Sequence, residues 1–423
     1  MTDARRTALD TLVRMQDGSL LMDQAMAGAN GIADLADRDR AFAASLVHNT
    51  LRYGMAADAL LARYIDKPIP AKRMHVHWAL RMGVVQLLAM DVPAHAAVST
   101  TVALIKRRPH EKVFAGLANA VLKKIVKDNA TLNHSDALPQ WMMARWCKFY
   151  GKETAQAMCD QLASQPMLDI TVPDAARRDT YAALWSAQKI GAMTLRLPLC
   201  DVASLDDYDE GVWWVQDVAS TIPVQMLGEI AGKHCLDLCA APGGKTAQLC
   251  AMGGHVTALD RSPLRMKRLR ENMARLSFTP MIIEADMMTW ENERVFDIVM
   301  LDAPCSASGT IRKHPEMMWQ RKEAQIAELA ALQSRLMHQA WQWVAPSGGR
   351  MLYAVCSLEK EEGELQVAEF LRNVDNAKLG EVLLPETQCP SGAYNNGLLR
   401  LLPNYWSQLG GMDGFFAALL EKR

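Results

Sequence analysis

The sequence lacks several features that would assign it to a common class of protein. It has no run of about 18 apolar residues and no signal-type start, so we expect neither a membrane span nor secretion. It has no low-complexity tract, and 50% of its 423 residues are apolar, which predicts packed domains throughout. None of its nine cysteines forms a C-x-x-C pair, so no metal site is expected. These absences predict a cytoplasmic, metal-free protein with reduced thiols.

The sequence also lacks an excess of positive charge. Its formal net charge is -1, whereas phosphate neutralisation normally dominates nucleic-acid affinity, so any surface for RNA has to be local. One basic cluster consists of Lys106, Arg107, Arg108, Lys112, Lys123, Lys124 and Lys127. A second consists of Arg312, Lys313, His314, Arg321 and Lys322. Each cluster is either an RNA-binding surface or a set of solvated helix ends.

A glycine-rich segment follows a short apolar run in the middle of the chain. Residues 239–245 contain a Pro-Gly-Gly turn, and a helix-forming sequence comes next, so strand, loop and helix are expected in that order. Paired glycines let the backbone approach a ligand closely, and the helix offers free N–H groups. A second apolar run ends in Asp260, about 20 residues downstream, where an acidic residue binds a ribose diol. This spacing predicts an adenosine-bearing ligand.

Three ligand classes compete for this loop. A P-loop needs G-x-x-x-x-G-K-[ST]; Gly244, Lys245 and Thr246 supply its end, but Cys239 stands where its first glycine should be. A dinucleotide fold needs G-x-G-x-x-G, which is absent after this strand. S-adenosylmethionine needs the ribose acid and the close backbone approach but no pyrophosphate cradle, so it is the favoured ligand.

The same pattern then repeats, because three further apolar runs end at functional residue types. Residues 281–285, 296–301 and 350–355 end at Asp286, Asp302 and Cys356. Helix-like segments at 263–276 and 322–344 lie between them, and this alternation is typical of a doubly wound, Rossmann-like α/β fold with a parallel sheet. Ligands bind at the carboxyl ends of such strands, so all these residues and Asp260 should face one crevice. Each aspartate could instead be a helix N-cap.

Two cysteines differ from the others because they lie at predicted strand ends. Cys305 follows Pro304, and Cys356 precedes a serine. A thiolate that adds to C6 of cytosine makes C5 nucleophilic enough to accept a methyl group. Asp302 would stabilise the charge that develops at N3, and Lys245 or the backbone around Cys356 would favour the thiolate. The residues alone do not say which cysteine attacks. The other seven are predicted to be unreactive: Cys147, Cys159, Cys200, Cys235, Cys239, Cys250 and Cys389.

The chain divides by changes of pattern. Apolar spacings of three and four predict only helices up to about residue 130, and residues 127–136 read as a linker. Between 138 and 210, a helix at 141–162 is mixed with strand-like pieces such as 168–172. A Gly- and Asn-rich loop at 390–397 precedes a final strand pair around 415–420. We therefore predict an all-helical domain at 1–130, a small α+β subdomain at 131–210 and a catalytic domain at 211–423.

These motifs resemble those of a known family over nearly the whole chain. The catalytic half carries 215–217, 239–245, 302–306 with Gly309, 312–316, Cys356 with Ser357, and 413–416. With these motifs the chain resembles RNA 5-methylcytosine methyltransferases of the bacterial Sun/RsmB type. Residues 8–13, 37–40 and 93–98 resemble the helical NusB-like domain that is fused to this subfamily.

The resemblance implies a role for each candidate residue. Cys356 would be the nucleophile and Cys305 would assist product release, with Asp302 and Lys245 completing the catalytic set. The implied substrate is small-subunit 16S rRNA at a cytosine of the 967 type, bound by the NusB-like domain and an RRM-like subdomain at 131–210. The implied S-adenosylmethionine site comprises Cys239, Ala240, Ala241, Pro242, Gly243, Gly244, Lys245, Asp260, Arg265, Asp286 and Asp302.

Two departures from the family pattern are visible. Val355 replaces the threonine that commonly precedes the nucleophile, and residues 169–172 replace an Arg-Val-Asn-type strand with its RNA contact. Two other functions stay open, an inactive RNA-binding assembly factor and a methyltransferase for an exocyclic amine or a protein side chain. The latter typically has Asn/Asp-Pro-Pro-aromatic where this chain has Asp-Ala-Pro-Cys. The target nucleotide and the oligomeric state are undetermined, with a monomer expected.

Overall fold

The structure is a computed structural model that describes residues 4–15, 22–27, 31–382, 384–385 and 388–423. Its helices are α1 (Ala4–Arg14), α2 (Met22–Ala27), α3 (Asp37–Ala62), α4 (Met74–Leu88), α5 (Ala94–Lys106), α6 (Ala115–Lys127), α7 (Gln140–Tyr150), α8 (Lys152–Ala163), α9 (Ala175–Leu184), α10 (Val218–Gln225), α11 (Gly244–Ala251), α12 (Pro263–Arg275), α13 (Met317–Gln320), α14 (Ala324–Gln342) and α15 (Glu364–Asn373). Its strands are β1 (Leu168–Thr171), β2 (Gln188–Ile190), β3 (Thr194–Leu197), β4 (Trp214–Val215), β5 (His234–Leu238), β6 (His255–Asp260), β7 (Met281–Glu284), β8 (Ile298–Asp302), β9 (Arg350–Val355), β10 (Ala377–Leu379), β11 (Tyr394–Asn395), β12 (Leu398–Leu401) and β13 (Phe415–Lys422).

The chain forms two compact units. The first, the helical unit, comprises residues 1–164 and 311–321; the second, the sheet unit, comprises 165–310 and 322–423. In this division α7 and α8 belong to the helical unit. No helix among the described residues is both long enough and apolar enough to cross a bilayer.

The helical unit has one apolar core. The apolar spacing of α1 and α4 places Leu12, Leu80 and Val84 in this core together with Leu46 and Leu51 of α3. Apolar residues three or four apart line one face of a helix, which explains this burial. The fold of this part is therefore all-helical, as the pattern predicted.

A single helix was predicted at 141–162, and this prediction is wrong. The chain forms α7 and α8, separated by Gly151, whose φ is +84°. A residue with this backbone conformation interrupts the helical hydrogen-bonding pattern, and glycine adopts it without a steric penalty. The apolar spacing continues across the break, and this made the two helices look like one.

The helical unit also contains a segment taken from the catalytic half of the sequence. In residues 311–321, the Trp319 indole N–H donates to the Leu51 carbonyl at 2.8 Å, and the Trp319 ring lies 4.8 Å from that of Trp78. The Arg81 guanidinium lies over both rings, at 4.8 and 4.4 Å. A Cβ at Gly54 would approach the Trp319 ring to 2.8 Å. The absence of a side chain at Gly54 thus makes room for Trp319.

The sheet unit is built around a large mixed sheet with the strand order β11-β12-β13-β9-β8-β5-β6-β7. The strands β5 to β9 are parallel, and β8 is buried on both faces, which explains its uninterrupted apolar sequence. Buried apolar clusters cover both faces of the sheet, so the doubly wound α/β prediction is confirmed.

The C-terminal half of this sheet is antiparallel, unlike the parallel sheet that was predicted. β13 pairs antiparallel with both β9 and β12, and β10 pairs antiparallel with β13. A parallel neighbour requires a long crossover connection, usually an α-helix. No α-helix lies between β12 and β13, so the chain returns in the opposite direction.

A second, four-stranded sheet has the order β2-β3-β1-β4, and α9 belongs to the same part of the chain. Asp169 of β1 and Arg196 of β3 form an ion pair in which both side chains are at most 1% exposed. The Arg196 guanidinium also donates to the Leu409 carbonyl at 2.8 Å. Asp169 is therefore engaged inside the protein.

Candidate active site

The parallel strands bring the predicted site residues to one edge of the large sheet. β5, β6, β8 and β9 end immediately before or at Cys239, Asp260, Asp302 and Cys356, and Asp286 follows β7 by two residues. Because neighbouring parallel strands end at the same edge, these side chains converge. Cys239 has a φ of +60°, so the chain turns sharply as it leaves β5.

A cavity of about 270 Å³ opens at this edge. Its wall includes eight of the predicted residues: Cys239, Ala241, Asp260, Arg265, Asp286, Asp302, Cys305 and Cys356. Five others do not line it: Ala240, Pro242, Gly243, Gly244 and Lys245. Gly243 has a φ of +106°, and a Cβ there would lie 2.8 Å from Leu269 of α12, so this position requires glycine.

Asp260 is the most buried carboxylate in the cavity wall. It accepts hydrogen bonds from the Arg265 guanidinium and the Ser262 backbone N–H, both at 2.9 Å, and from the Ala241 N–H at 3.3 Å. The N-cap of α12 is Ser262, which accepts from the Arg265 N–H. Asp260 is therefore not the N-cap of α12, and its carboxylate instead forms part of the cavity wall.

Asp286 is more exposed and holds a turn. Its carboxylate accepts from the Met288 N–H at 2.9 Å and lies 3.5 Å from the Arg261 guanidinium. Arg261 and Met288 also line the cavity, although no sequence pattern singled them out.

Asp302 and Lys245 form an ion pair beside the cavity. The Lys245 Nζ donates to Asp302 Oδ2 at 2.8 Å and lies 4.8 Å from the centre of the Phe415 ring. Lys245 is mostly buried at the start of α11, whereas Asp302 reaches the cavity. The ammonium group was predicted to favour a cysteine thiolate, but the partner that the structure gives it is Asp302.

The two candidate cysteines are in contact. Their Sγ atoms are 3.4 Å apart, and either thiol can donate to the other. Cys305 is 8% exposed and Cys356 is half-buried, so Cys356 is the more accessible of the two. The hydrogen bond with Cys356 and burial raise the pKa of Cys305 well above its ordinary value, so Cys305 holds its proton at neutral pH.

The remaining seven cysteines range from buried to exposed. All seven are free thiols. Burial raises the pKa of five of them, to about 12 at Cys159, Cys235, Cys239 and Cys250 and to about 11 at Cys389. Thiols of this kind are poor nucleophiles at neutral pH.

Sequence reasoning missed a buried hydrogen-bond network next to the cysteines. Its centre is Glu362, which is fully buried and accepts hydrogen bonds from Ser306, Ser357 and Gln333. In the sequence, Glu362 lies in a charged run, 359–362, that looks like a solvated loop. The only related feature of the sequence is that a serine follows each of the two cysteines, and both serines donate to Glu362.

The two basic clusters differ in exposure. The residues of the first cluster, around the ends of α5 and α6, are exposed. In the second cluster Arg312 is fully buried, and its carbonyl accepts from the Arg52 guanidinium at 2.6 Å. Arg312 was predicted to lie at the surface, either among RNA-binding residues or at a solvated helix end, and this prediction is wrong because Arg312 is buried within the helical unit.

The cavity fits the adenosyl ligand that the sequence predicted. A buried carboxylate, Asp260, is available for a ribose diol, and Leu259, Met287 and Ala303 provide apolar wall for a base. Asp286 and Asp302 supply two more acceptors at the same edge. Among the described residues, no group of three or more His, Cys, Asp or Glu side chains has an arrangement that could hold a metal ion.

Comparisons with known proteins match both units. A family model described as 16S rRNA methyltransferase RsmB/F matches residues 224–421, and a NusB family model matches 2–127. Ribosomal RNA small subunit methyltransferase B of Escherichia coli O6:H1 is 34% identical over 413 residues, 92% of each chain. Its counterpart from Erwinia tasmaniensis is 31% identical, covering 100% of this chain and 99% of the relative. The crystal structure of PH0851 has a TM-score of 0.77 at 24% identity, covering 100% of this chain and 99% of that one, and this likeness concerns the fold alone.

Proposed function

We propose that this chain, which belongs to the 16S rRNA methyltransferase RsmB/F family, methylates C5 of a cytosine in small-subunit rRNA through a covalent adduct with Cys356. Its methyl donor is S-adenosylmethionine, which supplies an electrophilic methyl group when bound. The expected target is a cytosine of the 967 type. The observation that carries the proposal is the contact of two thiols in a cavity that also holds Asp260 and Asp302.

Cys356 is the proposed nucleophile because it is the more accessible thiol. Its sulfur forms a bond to C6 of the cytosine, and the electron pair of the C5–C6 double bond moves toward C5 and the ring carbonyl and N3. C5 then attacks the methyl group. Loss of the C5 proton restores the double bond and expels the Cys356 thiolate. The accessibility of Cys356 and the retained proton of Cys305 both support this order of roles.

The Lys245–Asp302 pair is proposed to stabilise the charge that develops at N3. Asp302 lines the cavity and accepts from Lys245 at 2.8 Å, and in this proposal Asp302 passes a proton of the Lys245 ammonium group to N3. A preorganised donor of this kind is most effective in a water-poor site, because its charge is not screened. The pair can thus stabilise the negative charge that develops at N3 when the Cys356 sulfur adds to C6.

Cys305 is proposed to assist release. Its thiol is in contact with Cys356 and keeps its proton, so it can hydrogen-bond to the sulfur that leaves C6 and pass its proton to it. The proton lost from C5 then restores the Cys305 thiol. Cys356 then carries one proton more than at the start, and it loses this proton to solvent before the next attack, which matches the one proton released for each methyl group transferred.

The helical unit is proposed to bind the RNA. Its match to the NusB family and the exposed basic cluster Lys106–Lys127 support this role. The net charge of -1 requires that the phosphate-binding surface be local, as this cluster is. The small sheet at 168–215 is proposed as a further RNA-binding subdomain, and the boundaries at 130 and 210 stay predictions.

The decisive experiment is the detection of a covalent protein–RNA adduct on a denaturing gel. Wild type, Cys305→Ala and Cys356→Ala are incubated with small-subunit rRNA and S-adenosylmethionine, and C5 methylation is read by bisulfite sequencing. We expect the Cys305→Ala variant to accumulate the adduct, because release is impaired. The Cys356→Ala variant should give neither adduct nor methylated cytosine.

Cys200→Ala is the matched control, because Cys200 is an exposed cysteine of the same unit outside the cavity wall. It should behave as wild type. An adduct that persists in Cys356→Ala and vanishes in Cys305→Ala would exchange the two roles. RNA binding without adduct or methylation in any variant would instead indicate an inactive assembly factor, and methylation at an exocyclic amine would refute the C5 assignment.

A further inference from the structure

One buried carboxylate connects the two loops that carry the thiols. The Glu362 Oε1 atom accepts from the Ser306 backbone N–H at 2.9 Å, and Oε2 accepts from the Ser306 hydroxyl. Oε2 also accepts from the Ser357 hydroxyl. Ser306 and Ser357 directly follow Cys305 and Cys356 in the sequence. Glu362 therefore accepts hydrogen bonds from the residue that directly follows each cysteine.

Two further contacts fix the carboxylate itself. Gln333 of α14 donates to Glu362 Oε1 and to the Pro304 carbonyl, both at 2.9 Å, so it anchors Glu362 and the Cys305 loop together. The Tyr353 hydroxyl, from β9, donates to the Glu362 backbone carbonyl at 2.6 Å. Glu362 is thus tied to both elements that flank the cysteines, and it has little freedom to move.

The chemistry of the group is that of an ion, because its carboxyl oxygens accept four hydrogen bonds and donate none. A buried carboxylate is costly unless several donors satisfy it, and here they do. Its negative charge also acts on the nearest thiol. The hydrogen bond with Cys356, burial and the charge of Cys356 are the larger causes of the raised pKa of Cys305, and the charge of Glu362 raises it further.

Glu362 does not line the cavity, so it has no access to the substrate. We propose that Glu362 is a positioning residue that holds the Cys305 and Cys356 sulfurs in contact and keeps the proton on Cys305 until release. A neutral residue at 362 would loosen both loops and remove one of the charges that raise the pKa of Cys305. The role in release rests on the proposed function, whereas the effect on the thiols does not.

The first test measures the thiols without RNA. Cys305 and Cys356 are alkylated with iodoacetamide over a range of pH, and the rate at each cysteine is followed by mass spectrometry in wild type, Glu362→Gln and Glu362→Asp. In Glu362→Gln, alkylation of Cys305 at pH 8 should be severalfold faster than in wild type, because loss of the Glu362 charge lowers the pKa of Cys305 and so increases its thiolate fraction. Glu362→Asp keeps the charge, so its profile should stay within about twofold of wild type.

The second test follows the adduct in the same proteins. With rRNA and S-adenosylmethionine, Glu362→Gln should form the adduct but resolve it about tenfold more slowly. Its Cys305 thiol would no longer be held against the Cys356 sulfur with its proton in place. The matched control is Glu369→Gln on α15, which neutralises an exposed glutamate and should change neither readout. In a Cys305→Ala background, Glu362→Gln should cause no additional delay, because Glu362 acts through Cys305.

Two outcomes would overturn the proposal. One is an unchanged pH profile of Cys305 alkylation in Glu362→Gln, and the other is an equal delay with and without Cys305. If Glu362→Gln fails to fold, Ser357→Ala removes one of the four hydrogen bonds and should still slow adduct resolution; a wild-type rate there would refute the positioning role. Failure of the wild type to form any adduct would refute the proposed function alone, because the alkylation profile tests Glu362 independently.

Discussion

Asp237 on β5 makes the stability of the sheet unit depend on pH. It is fully buried, Thr246 donates to its Oδ2 at 2.6 Å, and its Oδ1 has no hydrogen-bond partner among the described residues. Burial raises its pKa from 3.8 to about 7. Because the folded pKa is raised, Asp237 contributes stability below pH 3.8 that is lost as the pH rises to about 7.

The magnitude follows from this window. Between pH 5 and pH 7 the unfolded chain is ionised at Asp237 and the folded chain is not. Each pH unit therefore removes ~1.4 kcal/mol, or about 3 kcal/mol over the two units. Asp237→Asn stays neutral at every pH and keeps an acceptor for the Thr246 hydroxyl. We therefore expect the free energy of unfolding of the variant not to fall by this amount between pH 5 and pH 7.

The assay is urea unfolding of wild type and Asp237→Asn at pH 5 and pH 8, followed by circular dichroism. The wild type should lose about 3 kcal/mol more than the variant between the two values. Subtraction of the variant removes the contribution of all other titrating groups. An equal loss in both proteins would refute the reasoning, since it would mean that Asp237 ionises inside the fold without cost.

Two further predictions concern packing and the glycine-rich loop. Arg196→Met should lower the free energy of unfolding by about 3–5 kcal/mol, because it leaves Asp169 buried without its partner; chemical denaturation measures this, and a loss below ~1 kcal/mol would contradict it. Gly243→Ala should weaken S-adenosylmethionine binding about tenfold in calorimetry, because its Cβ would displace Leu269. Gly228→Ala, with a φ of +62° but no atom near its Cβ, should bind normally.

The sequence was most informative where a local pattern has a single structural outcome. An apolar run that ends in a polar residue predicts a parallel strand with that residue at its carboxyl end, and Asp260, Asp302 and Cys356 lie there. The Pro-Gly-Gly turn likewise predicted the start of α11. The break at Gly151 was missed because apolar periodicity continues through it, and the antiparallel return of β13 was missed because strand direction depends on the connection rather than on the strand.

The sequence by itself determined the chemistry available to this protein, namely two cysteines, the carboxyl group of Asp260 and a glycine-rich loop at one sheet edge. Only the tertiary structure decided how these groups act on one another. It put the thiols at 3.4 Å, paired Lys245 with Asp302 and withdrew Arg312 from the surface. It also buried Glu362, a residue of a charged run, between the two loops. The physical reason is that burial and hydrogen bonding between distant residues depend on packing, and no local pattern encodes that.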